Sequence, residues 1–168
     1  MGSIDGVFST ESGWRGRDEV VVVEFDPTVA KYDTLLTAAQ KFDCAKKVFT
    51  HHPSHQKAAA AKIGKRAVPV DSEMKPVKLS EQLYYLRKSI YRHLPLTELQ
   101  AIRINGALYQ KSKNNNRPED WLSPRQLAML KQVAKRKRKG DFDDSLQWPD
   151  DDTKLIAYSD RLAKHLSE

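Results

Sequence analysis

The chain has 168 residues, 39% hydrophobic and 30% charged, with a net charge of +7 and one cysteine, Cys44. A chain of this length buries a core without disulfides or metal. The single thiol excludes an intramolecular disulfide, and no apolar run nears the roughly 20 residues of a membrane span.

Charge is unevenly spread. Residues 141–168 carry eight acidic and three basic residues, and residues 1–140 carry 26 basic and 14 acidic. A basic body with an acidic end predicts a polyanionic partner, or an end that folds back on the body. The first residues have no basic, then apolar, signal-peptide pattern. An intracellular, cytoplasmic location is therefore expected, with an organelle lumen left open.

Residues 18–26, Asp-Glu-Val-Val-Val-Val-Glu-Phe-Asp, are β-branched and nearly continuous. They predict a strand buried on both faces, stopped by Asp26-Pro27. Over residues 32–42, Leu35, Leu36, Ala39 and Phe42 fall on one helical face. Residues 47–50 predict a short strand. Pro53 at a first helical position opens an Ala-rich helix closed by Gly64. Residues 67–70 form a short apolar piece that Pro69 confines to an edge or a strand end, and residues 74–78 are expected to be extended.

Ser80 is expected to cap a helix with Leu83, Leu86 and Ile90 as its stripe, ended by Pro95. A further helix covers residues 96–109, with Leu99, Ile102, Ala107 and Leu108 as core candidates. Residues 113–118 have loop composition. Ser123-Pro124 opens a helix through Leu127, Leu130 and Val133 that ends in a run of cations before Gly140. Residues 141–152 read as irregular and 153–166 as a last amphipathic helix. The fold class is α+β: a small mixed β-sheet covered by helices, with an all-helical C-terminal extension. Three parts are expected: an α/β domain over 4–92, a basic helical extension over 93–140, and an acidic segment with a terminal helix over 141–168.

Gly6-Val7-Phe8-Ser9-Thr10-Glu11-Ser12-Gly13-Trp14 resembles a segment of the A-type methionine sulfoxide reductases. Residues 19–27, then Tyr32 and Leu35-Leu36, resemble that family's Glu-bearing strand, Asp-Pro turn and next helix. A thioredoxin-linked group related to selenoproteins is similar over more of the chain. It is matched through Asp43-Cys44-Ala45, Tyr84-Tyr85-Leu86-Arg87, Pro95-Leu96-Thr97-Glu98-Leu99-Gln100 and Trp121-Leu122-Ser123-Pro124-Arg125-Gln126. Its redox residue falls where this chain has Val7.

The resemblance implies a ferredoxin-like sandwich of the reductase type, N-terminally truncated. The family's Gly-Cys-Phe-Trp motif, which carries its nucleophile, is absent from the sequence. The resemblance matches Glu19 to the carboxyl that protonates the sulfoxide, and Trp14 to the Tyr that hydrogen-bonds its oxygen.

Three functions follow. The leading one is a reductase-like domain without its nucleophile, serving as a non-catalytic module that binds a protein partner or joins a larger complex. It expects no sulfoxide reduction by the chain alone. The second is a thiol oxidoreductase in which Cys44 attacks sulfur, Glu19 supplies the acid if buried beside the thiol, and Trp14 binds the oxygen. That enzyme would need a thioredoxin-like reductant to resolve the oxidised thiol.

The third is binding of nucleic acid or another polyanion through Lys131, Lys135, Arg136, Lys137, Arg138 and Lys139. No aromatic residue interleaves that run, so stacking on single strands is not expected. Tyr84, Tyr85 and Tyr91 read as core residues with polar tips, with a pocket lining as the alternative. His51, His52 and His55 read as a polar turn. No metal and no cofactor is expected.

Overall fold

The computed structural model describes residues 1–110, 117–148 and 154–167. The chain is α+β and forms two compact units, Met1–Gln82 and Leu83–Glu168. Residues 83–92 therefore belong with the second unit rather than with the first. Residues 113–116, read as loop, and residues 149–153, at the end of the acidic segment, lie outside the described residues.

The first unit starts with a hairpin of β1 (Val7–Arg15) and β2 (Asp18–Phe25). Its two-residue loop has Gly16 at φ 60° ahead of Arg17, which is not at positive φ. This pattern is that of a type II′ turn, whose twist matches the strands. β5 (Lys75–Pro76) adds to the far side of β1, giving an antiparallel sheet in the order β2-β1-β5. A Cβ at Gly13 would lie 2.6 Å from the Lys75 carbonyl oxygen, so only glycine admits this third strand so close.

β2 is an edge strand with no fully buried residue, and Val21 is exposed. The expected burial on both faces does not occur: Glu19 and Val21, two positions apart, are exposed, and Glu24 is exposed too. Asp26 ends the strand by accepting from the Thr28 backbone N–H at 2.8 Å and from its hydroxyl at 2.6 Å. These two donors hold the Asp26 carboxyl below its usual pKa.

α1 (Tyr32–Lys41) turns Leu35 toward Val7, Ala30, Val23 and Phe25, and Leu36 toward Ala59, Ile63 and Ala67. It thereby joins the hairpin core to a second, two-stranded parallel sheet. That sheet is β3 (Val48–Thr50) with β4 (Ala67–Pro69), linked by α2 (Pro53–Ile63). Strand pairing is thus divided between an antiparallel and a parallel sheet.

The helix expected from Ser80 is broken into pieces. Gln82 is extended, and its amide acts as a further sheet partner to β1. It accepts from the Ser12 N–H at 2.9 Å and donates to the Ser12 carbonyl at 2.8 Å. These tertiary bonds outweigh the helical periodicity of the local sequence.

In the second unit, Leu83 at φ 53° precedes a single helical turn, α3 (Tyr84–Arg87). A 3₁₀ turn over Ile90–His93 follows, then α4 (Glu98–Gln110), α5 (Pro124–Lys139) and α6 (Leu155–Ser167). Their core contains Leu86, Leu94, Leu96, Ile104, Val133, Tyr158 and Leu162, all fully buried. Phe142, Leu146 and Trp148 pack against this core. The Trp148 indole N–H donates to the Leu96 carbonyl at 2.7 Å, and the Tyr158 hydroxyl to the His93 carbonyl at 2.9 Å. The described residues of the acidic end are therefore a structural part of this unit. Among the described residues no helix is long and apolar enough to cross a membrane.

Candidate polyanion-binding face

In the first unit, Trp14 and Glu19 lie directly opposite each other across the hairpin. Both are exposed, Trp14 at 46%. Glu19 therefore lacks the burial on which its role as an acid was conditional.

Cys44 sits past the end of α1. Its N–H bonds to the Ala39 carbonyl at 2.7 Å and the Asp43 N–H to that of Gln40 at 3.0 Å, with Asp43 at φ 57°. This is a Schellman closure with Asp43 in the left-handed position usually held by glycine. The exposed thiol donates to the Phe42 carbonyl at 3.4 Å, at a helix end that repels anions. Among the described residues no hydrogen bond, ion pair or ring contact joins Cys44 to Glu19 or Trp14.

The three histidines do not converge on a metal. His55 stacks on Tyr32 with centroids 4.1 Å apart, and His52 meets it edge-on at 5.6 Å. Burial, then the neighbouring His52, lower the His55 pKa. No group of three potential ligands occurs among the described residues. Nothing in the local sequence marked Arg15, which is buried against the Phe49 ring at 5.1 Å.

α5 concentrates the charge of the second unit. Its start is fixed by a reciprocal cap: the Ser123 hydroxyl accepts from the Gln126 N–H at 3.3 Å, and the Gln126 side chain accepts from the Ser123 N–H at 2.8 Å. Gly140 at φ 77° ends it. Between these signals Met129 and Val133 are buried. Helical periodicity therefore turns Lys131, Lys135, Arg138 and Lys139 outward, and all four are exposed. Four residues of helix rise separate Lys131 from Lys135 by about 6 Å.

The six cations of the run do not behave alike. Lys137 is half-buried and pairs with Asp144, whose carboxyl is held below its usual pKa chiefly by that bond. Arg136 donates to the Leu166 carbonyl at 3.3 Å. Lys131, Lys135, Arg138 and Lys139 have no ion-pair partner among the described residues. Beside them lies a depression of about 360 Å³ lined by Gln132, Lys135, Arg136, Lys139, Asp141 and Leu166. Three cations and one carboxylate thus border a concavity able to take an oxyanion. The acidic segment does fold back, as the charge asymmetry allowed, and its Asp144 engages Lys137 and not the outward stripe.

No family model and no curated protein matches this chain.

Proposed function

We propose that this chain is a non-catalytic interaction module whose second unit binds polyanions through the outward face of α5. The observation that carries this reading is the set of four exposed cations, without an ion-pair partner among the described residues, beside a cation-lined depression. Each phosphate or sulfate bound there releases condensed counterions, a favourable term that salt diminishes. Asp144 of the acidic segment pairs with Lys137 and not with these four cations.

The first unit, whose sequence resembles the A-type reductases, serves in this reading as a scaffold without that family's nucleophile. Oxidoreductase chemistry through Cys44 is less well supported, because Glu19 is exposed and, among the described residues, no hydrogen bond or ion pair joins Cys44 to it or to Trp14.

The test is the affinity of the full chain for a labelled oligouridylate at low salt. Lys131→Gln, Lys135→Gln, Arg138→Gln and Lys139→Gln combined should weaken it about tenfold or more. Exchanging the three lysines for arginine should preserve it. An affinity unchanged by the glutamine set would remove α5 as the binding face.

A further inference from the structure

Three tyrosines of the second unit form an exposed aromatic cluster. The Tyr84 and Tyr85 rings meet edge-on with centroids 5.3 Å apart, and Tyr85 and Tyr109 lie 5.3 Å apart at 55°. Their exposures are 53%, 41% and 43%. A buried tyrosine with a polar tip is common; a contiguous group of three exposed rings is not.

The fold builds this cluster at a cost. Leu83, immediately before Tyr84, adopts the left-handed conformation at φ 53°, which is strained for a bulky side chain. The Asn105 side-chain oxygen holds the turn, accepting from the Tyr85 and Leu86 N–H groups at 3.0 Å each. Asn105 and Tyr109 are four residues apart on α4 and so share one face. The same contact that caps α3 therefore brings its two tyrosines to Tyr109.

The surroundings are cationic. Lys88 donates to the Tyr84 hydroxyl at 2.5 Å. Lys88 also lies over the Tyr84 ring, 4.0 Å from its centroid.

We propose that Tyr84, Tyr85 and Tyr109 are a stacking platform for unpaired bases, so that the polyanion bound by the second unit is single-stranded nucleic acid. This rests on the polyanion reading for the phosphates, while the rings add the preference for bases. Base faces stack on phenol rings whatever the sequence, and the lysine beside them meets the backbone charge. An apolar protein surface would gain from the rings but would bury the Lys88 charge that lies over Tyr84.

The experiment compares an oligouridylate with an abasic sugar-phosphate strand of the same length, using the full chain. The base-bearing strand should bind about fivefold or more tighter. Tyr85→Ala with Tyr109→Ala should abolish that preference and leave the affinity for the abasic strand unchanged. Tyr85→Phe with Tyr109→Phe, which keeps the rings, should retain it. Equal affinity of the unaltered chain for the two strands would overturn the platform and leave the α5 reading standing. A preference for duplex over single strand would overturn it too. Binding to neither strand would overturn both readings and turn attention to a protein partner.

Discussion

His93 is 1% exposed and makes both of its ring-nitrogen contacts inside the second unit. Its Nδ1 lies 2.5 Å from the Leu146 carbonyl, which accepts only, so this nitrogen carries the proton. Arg92 Nε then donates to the bare Nε2 at 3.3 Å. Burial lowers the pKa of this ring. The Leu146 carbonyl opposes it, the Arg92 and Lys137 charges add to it, and Asp144, 3.5 Å from Nε2, opposes it. The Phe142 ring packs edge-on at 4.8 Å.

The sign follows directly. Below a pH of about 6.5 the unfolded chain takes up a proton that the folded ring resists. Stability from this group is therefore complete above that pH and falls as pH drops toward the lowered folded value. The denaturation midpoint of the second unit should decrease between about pH 7 and pH 5, above the range where most carboxylates titrate. In His93→Gln that decrease should shrink. Equal pH slopes for the two proteins would mean that His93 titrates as it does in the unfolded chain. Nothing in the local sequence marked this residue, because its partner is 53 positions away.

At the level of elements, the cap of α5 extends into a network. Thr97 and Gln100 form a second reciprocal pair at the start of α4, with bonds of 3.0 and 3.2 Å. The Gln100 and Gln126 amides bond to each other at 3.0 Å in both directions. Gln126 also donates to the Pro95 carbonyl at 2.7 Å, and Gln100 to that of Trp121 at 2.9 Å. Ser123→Ala should lower the stability of the second unit by about 1 kcal/mol, the usual loss of a helix cap. Gln126→Ala should cost more, because it leaves several polar groups without partners. Urea midpoints for the two variants check this order; a smaller loss for Gln126→Ala would show that the network adds nothing to the cap.

Elements set by local chemistry were legible in the sequence. Pro53 and Gly64 bounded α2, Ser123 and Gly140 bounded α5, and the Val-rich run gave β2. Those set by distant partners were not. Gln82 leaves the helical path for Ser12, 70 residues away, and Asn105 caps a turn 20 residues before it. The cations of α5 were visible as a run. That Lys137 and Arg136 are engaged depended on Asp144 and Leu166, from the far end of the chain. The absence of aromatics within that run pointed away from stacking, because the rings that cluster come from α3 and α4. Thr97, Gln100, Ser123 and Gln126, which lie in the segments that resemble the selenoprotein-related group, form the caps of α4 and α5.

Over the whole molecule, the net charge of +7 is carried almost entirely by the second unit. Residues 1–82 hold 12 basic and 11 acidic side chains, and residues 83–168 hold 17 and 11. Long-range attraction for a polyanion therefore belongs to the unit that bears α5. Among the described residues, Asp144 pairs with Lys137 of this helix, while Lys131, Lys135, Arg138 and Lys139 have no ion-pair partner.

The most direct test of this account is the salt dependence of affinity for a single-stranded oligonucleotide. Each phosphate neutralised contributes about 0.7 to the slope of log K against log salt. Combining Lys131→Gln, Lys135→Gln, Arg138→Gln and Lys139→Gln should reduce the slope by up to about 3 if all four cations contact phosphates. A slope identical in the variant and the unaltered chain would contradict polyanion binding by this face.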